Sequence, residues 1–159
     1  AHGLPARQVE RLLGPPMRRG TLRAEVLPPL SQPAFDARLA AADVAIVRGE
    51  DSFVQAQRAG VPFLWHIYTQ DDGAHHAKLD AFLDRFLAGA PPALAAAVRA
   101  LHHAWNRGEP PVPLPALDAW REHCAGWRRR LEAHGDLGSQ LLSFTNARIE
   151  GLPDPSGNP

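Results

Sequence analysis

The chain has 159 residues, with 17 Lys and Arg against 17 Asp and Glu, a formal net charge of +0 and a pI near 7.3. That length suits one domain with one sizeable core, and the missing basic excess argues against a nucleic-acid partner. One cysteine, Cys124, can neither close an internal disulfide nor supply a Cys-rich zinc site, and no apolar run nears the ~20 residues of a membrane span, so the expected setting is the cytoplasm, away from the membrane.

Residues 1–20 carry Arg7, Glu10, Arg11, Arg18 and Arg19 where a leader peptide would need its apolar centre. The start at Ala1, directly before an expected helix, suggests a piece of something longer. Pro5 to Leu13 reads as a short helix closed by Gly14. A strand fits Thr21 to Leu27, stopped by Pro28 and Pro29, which cannot donate to a ladder. Ser31 or Gln32 can cap the next helix, with Pro33 in its first turn, Phe35 and Leu39 on one face, and an end near Ala42.

Val44 to Val47 is a short, wholly apolar run of the kind found in parallel strands covered on both faces. Arg48-Gly49-Glu50-Asp51 then makes a turn, and Ser52 with Gln55 matches a capping box that would open a two-turn helix ending at Gly60. Phe63 to Tyr68 follows as a second apolar strand, completing a βαβ unit. Helices are expected at Ala74 to Leu87, Ala93 to Asn106, Ala116 to His134 and Leu137 to Ile149, the last capped by Asp136. This organisation predicts an α/β domain over 1–108, a stiff Pro-rich linker at 109–115, C-terminal helices over 116–150 and a disordered tail at 151–159.

In open α/β sheets ligands gather outside the carboxyl ends of the strands, where the turn Arg48–Ser52 falls. Free N–H groups at a helix start suit a phosphate, Gly49 permits close backbone approach, and carboxylates such as Glu50 and Asp51 beside such a site usually hold sugar hydroxyls. A sugar nucleotide fits that combination. A plain helix cap explains the same spacing without any ligand. His75-His76 beside Asp71-Asp72, and His102-His103, lack a metal-ligand spacing, since successive helical residues point apart, and the first pair reads as a solvated helix start. Trp105, Trp120, Trp127 and Leu131 read as packing residues, Arg128-Arg129-Arg130 as a solvated face, and Cys124 as a small buried hydrophobe.

The segment from Arg48 through Gly49-Glu50-Asp51-Ser52-Phe53 to Trp65-His66-Ile67-Tyr68, with Lys78-Leu79-Asp80-Ala81-Phe82-Leu83-Asp84-Arg85 behind it, resembles the elongation factor P arginine rhamnosyltransferases. The likeness extends back through Leu27-Pro28-Pro29-Leu30-Ser31-Gln32 and forward through Ala104-Trp105-Asn106-Arg107-Gly108-Glu109 to Gln140-Leu141-Leu142. It implies a Rossmann-like parallel sheet, the C-terminal half of a B-fold glycosyltransferase, with a helical C-terminal extension. It further implies inverting transfer of L-rhamnose from dTDP-β-L-rhamnose to an arginine of elongation factor P, without metal or cofactor. By the same resemblance Gln32, Arg48, Gly49, Glu50, Asp51 and Ser52 line the donor, Glu50 is needed for activity, and the catalytic aspartate and acceptor surface belong to a domain this chain lacks. Pro29 departs from the family, which is expected to carry a bulkier aromatic there. A non-catalytic nucleotide-sugar-binding module, or a B-fold glycosyltransferase using another nucleotide sugar, are the alternatives.

Overall fold

A computed structural model describes residues 18–110 and 112–150. The expected helix Pro5–Leu13 and the tail 151–159 lie outside the described residues. The chain divides into two compact units, residues 1–35 and 36–159.

In the first unit, β1 (Arg18–Arg19) and β2 (Leu22–Arg23) form a two-residue antiparallel hairpin, pairing Arg18 with Arg23 and Arg19 with Leu22. The expected strand from Thr21 to Leu27 is therefore corrected to a stub, because the chain doubles back at Gly20 (φ 60°) and only two residues per arm find partners. Helix α1 (Gln32–Ala40), whose residues from Asp36 onward belong to the second unit, begins where the sequence places it, and its first turn closes through Phe35 N–H to the Ser31 carbonyl at 2.9 Å.

The second unit is built on β3 (Ala45–Arg48), α2 (Glu50–Ala59) and β4 (Phe63–His66). The strands run parallel in the register Ala45–Phe63, Ile46–Leu64, Val47–Trp65 and Arg48–His66, extended by Ala45 N–H to the Pro62 carbonyl at 2.9 Å. A parallel pair needs a crossover, and α2 provides it. Gly60 ends that helix at φ 69°, where a residue with a Cβ would be strained, and its N–H returns to the Ala56 and Gln57 carbonyls. Burial does not follow the expected cover on both faces. Val47 is buried, but Ile46 is 54% exposed, because an all-apolar run does not specify how many elements lie over each side.

Helices α3 (Ala74–Phe86), α4 (Pro92–Arg107), α5 (Leu117–Glu132) and α6 (Leu137–Glu150) complete the chain. The described residues of 109–115 carry neither helix nor strand. The core gathers Phe63, Phe86, Leu79, Leu83, Val98, Trp120 and Cys124, all but removed from water. Phe53 of α2 stacks on Trp65 of β4 with centroids 4.0 Å apart, and Phe82 of α3 meets Phe53 edge-on at 4.8 Å. Helix α5 joins the same core. Trp127 Nε1 donates to Gln57 Oε1 at 2.9 Å, His123 Nε2 bonds the Phe86 carbonyl at 2.8 Å, and Arg121 pairs with Asp43 at 2.7 Å. Asp136 caps α6 as expected, accepting the Ser139 N–H at 2.8 Å and hydroxyl at 2.6 Å.

Three side-chain expectations are corrected. His75 is not solvated; it is buried, with Nδ1 accepting the Gln70 N–H at 3.1 Å, because the loop after β4 folds back on the start of α3. Trp105 and Leu131 are 42% and 37% exposed, since the faces of α4 and α5 they occupy border open hollows. Arg128 is only half exposed, its stem lying against Gly60.

Candidate functional site

At the carboxyl end of the parallel pair the chain leaves β3 through Gly49 into α2. Gly49 holds φ 84° and ψ −178°, a backbone region essentially reserved for glycine. That conformation makes Gly49 the N-cap, so α2 starts at Glu50, two residues before the expected start at Ser52. Ser52 is therefore not the cap. Its hydroxyl donates back to the Arg48 carbonyl at 2.6 Å, and no side chain caps the helix. The first N–H groups of α2 have neither an intrahelical acceptor nor a capping side chain, the condition in which a helix start attracts an anion.

An open hollow of about 480 Å3 lies over this turn, lined by Arg48, Gly49, Glu50, Asp51, Ser52 and Tyr68. Five of the six residues expected from sequence, Arg48 to Ser52, thus share one surface. The sixth, Gln32, opens α1 in the unit of residues 1–35. A second, smaller hollow of about 110 Å3 is lined by Gly49, Glu50, Trp65, Tyr68, Gln70 and Lys78, among others.

Two of these residues were not picked out as site residues by spacing. Tyr68 lies two residues beyond β4, where the strand's carboxyl end meets the turn, and the Arg48 guanidinium sits 4.8 Å from its ring centroid. A Cβ on Gly49 would stand 3.3 Å from the Tyr68 hydroxyl oxygen, a tight approach that Tyr68 would have to relieve by a few tenths of an ångström, while the backbone angle is what calls for glycine. Lys78, on the first turns of α3, donates to Glu50 Oε1 at 3.2 Å and lies 5.7 Å from the Trp65 ring centroid. Position at the carboxyl end of β4 could have flagged Tyr68; that Lys78 is the chain's only lysine was the one hint to it.

Glu50 and Asp51 bring two negative charges to an otherwise anion-seeking helix start. Arg48 and Lys78 bring two positive ones, so the turn's surroundings are close to neutral in sum. Neighbouring His66 is driven toward its neutral form, first by burial and then by the Arg48 charge. Deeper in the core, burial pushes His102 down to about 4, against the raising effect of its hydrogen bond with the Val98 carbonyl. Cys124 is pushed up to about 12 by burial, which keeps it a thiol and fits the packing role expected of it.

Other hollows differ in chemistry. One of about 620 Å3 is almost wholly apolar, walled by Val44, Ile46, Leu64, Trp105 and Leu114 among others. Another of about 450 Å3 is lined by Asp36, Leu39, Arg58, Arg128 and Glu132 among others. Neither combines exposed helix N–H groups with a glycine approach. Among the described residues no group of His, Cys, Asp and Glu is arranged to hold a metal ion, and no helix is long and apolar enough to cross a membrane.

A family model described as Elongation-Factor P (EF-P) rhamnosyltransferase EarP matches residues 2–146. The chain is similar to a protein-arginine rhamnosyltransferase of Pseudomonas aeruginosa, 41% identical over an alignment of 131 residues, with 79% of this chain and 35% of that protein covered. It is 42% identical to one of Pseudomonas putida over an alignment of 136 residues, with 79% of this chain and 35% of the relative covered. One of Neisseria meningitidis is 40% identical over 122 residues, 75% of this chain and 32% of the relative. The chain also superimposes with a TM-score of 0.65 and 34% identity on a structure solved for EarP-mediated arginine glycosylation of translation elongation factor EF-P, covering 89% of this chain and 48% of that one. It thus spans about a third of the length of these curated relatives.

Proposed function

The chain belongs to the Elongation-Factor P (EF-P) rhamnosyltransferase EarP family, and from that membership we propose that it forms the donor-binding part of a protein-arginine rhamnosyltransferase. The observation that carries this is the uncapped start of α2 at Gly49, opening on a hollow lined by arginine, two carboxylates, a serine and a tyrosine. The donor is dTDP-β-L-rhamnose, the acceptor an arginine of elongation factor P, and the setting the bacterial cytoplasm. The parallel pair belongs to a Rossmann-like sheet, the C-terminal half of a B-fold glycosyltransferase, with the C-terminal helices as its extension.

The reaction is a single displacement with inversion. A guanidinium nitrogen of the acceptor attacks the anomeric carbon, the bond from that carbon to the diphosphate oxygen breaks, and the acceptor's proton leaves to a base outside this chain. Charge growing on the departing diphosphate meets the backbone N–H groups at the start of α2 and the Arg48 guanidinium, interactions that strengthen as the bond breaks. Glu50 acts on the sugar hydroxyls or the incoming guanidinium, groups that a carboxylate can bind and a diphosphate cannot replace. Asp51 and Ser52 fix the nucleotide. No metal enters this scheme.

Titration calorimetry of residues 1–159 with dTDP and with UDP tests it. Weak binding of dTDP, weaker binding of UDP and no transfer by this chain alone are expected. Equal binding of both nucleotides supports a B-fold transferase for another nucleotide sugar, and binding of neither removes the donor-site reading.

A further inference from the structure

The site holds an electrostatic conflict that the α2 helix start does not resolve by itself. Glu50 is the first residue of α2 and lines both hollows beside the turn, so an ionised carboxylate stands at the mouth of a surface that otherwise suits an anion. Its partner comes from elsewhere in the fold. Lys78, 28 residues later on α3, reaches across to donate to Glu50 Oε1 at 3.2 Å.

Lys78 is itself held in place. Its ammonium lies 5.7 Å from the centroid of Trp65, within the range of a cation–π contact, and that ring is 3% exposed and stacked on Phe53 of α2. Phe82, one turn further along α3, meets both Phe53 and Trp65 edge-on at 4.8 and 5.8 Å. The helix carrying Lys78 and the helix carrying Glu50 are therefore packed on one aromatic stack, which sets the spacing of their backbones, and the Trp65 ring and Glu50 are the two contacts of the ammonium at the turn. The ammonium and the carboxylate both remain more than half exposed, which makes the pair a weak source of stability but leaves both groups accessible to a ligand.

From this geometry, and resting on the donor-site reading above, we propose that Lys78 is the positioning residue for Glu50: it aims the carboxylate along the wall of the hollow and cancels its charge against an anionic, diphosphate-bearing ligand. Glu50 thereby stays available for hydrogen bonding to neutral or cationic groups without repelling the diphosphate at the adjacent N–H groups. The Trp65–Phe53 stack is the support that makes the orientation a property of the fold.

The test has two arms on the whole chain. Side-chain order of the Glu50 methylene groups, measured by carbon-13 relaxation without ligand, should fall in Lys78→Met and be restored in Lys78→Arg. In calorimetry with dTDP, Lys78→Met should weaken binding about fivefold, the factor that matches an exposed ion pair at the top of its usual range. Adding Glu50→Gln to Lys78→Met should bring affinity back near wild type. If the double variant binds as weakly as Lys78→Met, Lys78 contacts the diphosphate directly and the proposal is overturned. Unchanged Glu50 order in Lys78→Met overturns it as well. If wild type does not bind dTDP, the donor-site reading fails, while the relaxation arm still decides whether Lys78 orients Glu50.

Discussion

Replacing Gly49 by alanine probes the turn most sharply, because two separate features of the structure resist a side chain there. At φ 84° and ψ −178° an L-residue with a Cβ carries strain of order 1–3 kcal/mol. The added Cβ would also stand 3.3 Å from the Tyr68 hydroxyl oxygen, so Tyr68 must yield by a few tenths of an ångström. Taking about 2 kcal/mol for the backbone, and 2–4 °C per kcal/mol for a chain of this size, the melting temperature should fall by about 4–8 °C. Binding of dTDP should fall too, since the methyl group occupies the close approach and displaces the ring beneath Arg48. Gly73→Ala is the control, at φ 73° with nothing within 4 Å of its added Cβ: it should lose stability through backbone strain alone and leave dTDP affinity untouched. Thermal melts and calorimetry on the three proteins check this. Wild-type melting temperature and dTDP affinity in Gly49→Ala would refute the reasoning.

In the complete enzyme Glu50→Gln should collapse turnover without weakening dTDP, whereas Asp51→Asn should weaken dTDP itself; steady-state kinetics beside nucleotide titration separates them, and equal effects on affinity would contradict the division of roles. Ser52→Ala should lower stability by only about 0.5 kcal/mol in chemical denaturation, the low end for one net hydrogen bond and less than the ~1 kcal/mol of a lost cap, because its exposed hydroxyl bonds the Arg48 carbonyl and caps nothing. His102 should make stability depend on acid. Its folded pKa of about 4 lies below the ordinary 6.5, so the unfolded chain takes up the proton first; the contribution is complete above pH 6.5 and declines as pH falls toward 4, by about 3 kcal/mol in all. Denaturation of wild type and His102→Phe across pH 4–7.5 should show this extra slope in wild type only.

The local signals were legible in the sequence, and the long-range ones were not. Strand, turn, helix and strand from Ala45 to His66 could be read because apolar runs, Gly60 and Pro62 act within a few residues. Gly108 and Asp136 marked their helix ends for the same reason. The start of α2 was misplaced by two residues, since the Ser52–Gln55 spacing imitates a capping box while the backbone of Gly49 sets the boundary. β4 stops at His66, short of the expected Tyr68, because Ile67 N–H turns to the Asn106 side chain at 3.0 Å, a partner 39 residues away. The Lys78–Glu50 pair, the burial of His75 and the exposure of Trp105 likewise depend on how helices settle against the strands, which no spacing rule along the chain encodes. Arg48–Ser52 share one surface because they are consecutive at the carboxyl end of β3, a placement that chain position alone conveys.

In the proposed function the N–H groups at the start of α2 receive a diphosphate. Amide chemical-shift mapping of the isotope-labelled chain, titrated with dTDP and separately with thymidine, tests it most directly. dTDP should move the amides of Gly49, Glu50, Asp51 and Ser52, and thymidine, which has no phosphate, should leave those four in place. Shifts confined to the apolar hollow around Ile46 and Trp105, or the same shifts at Gly49–Ser52 with both compounds, would contradict it.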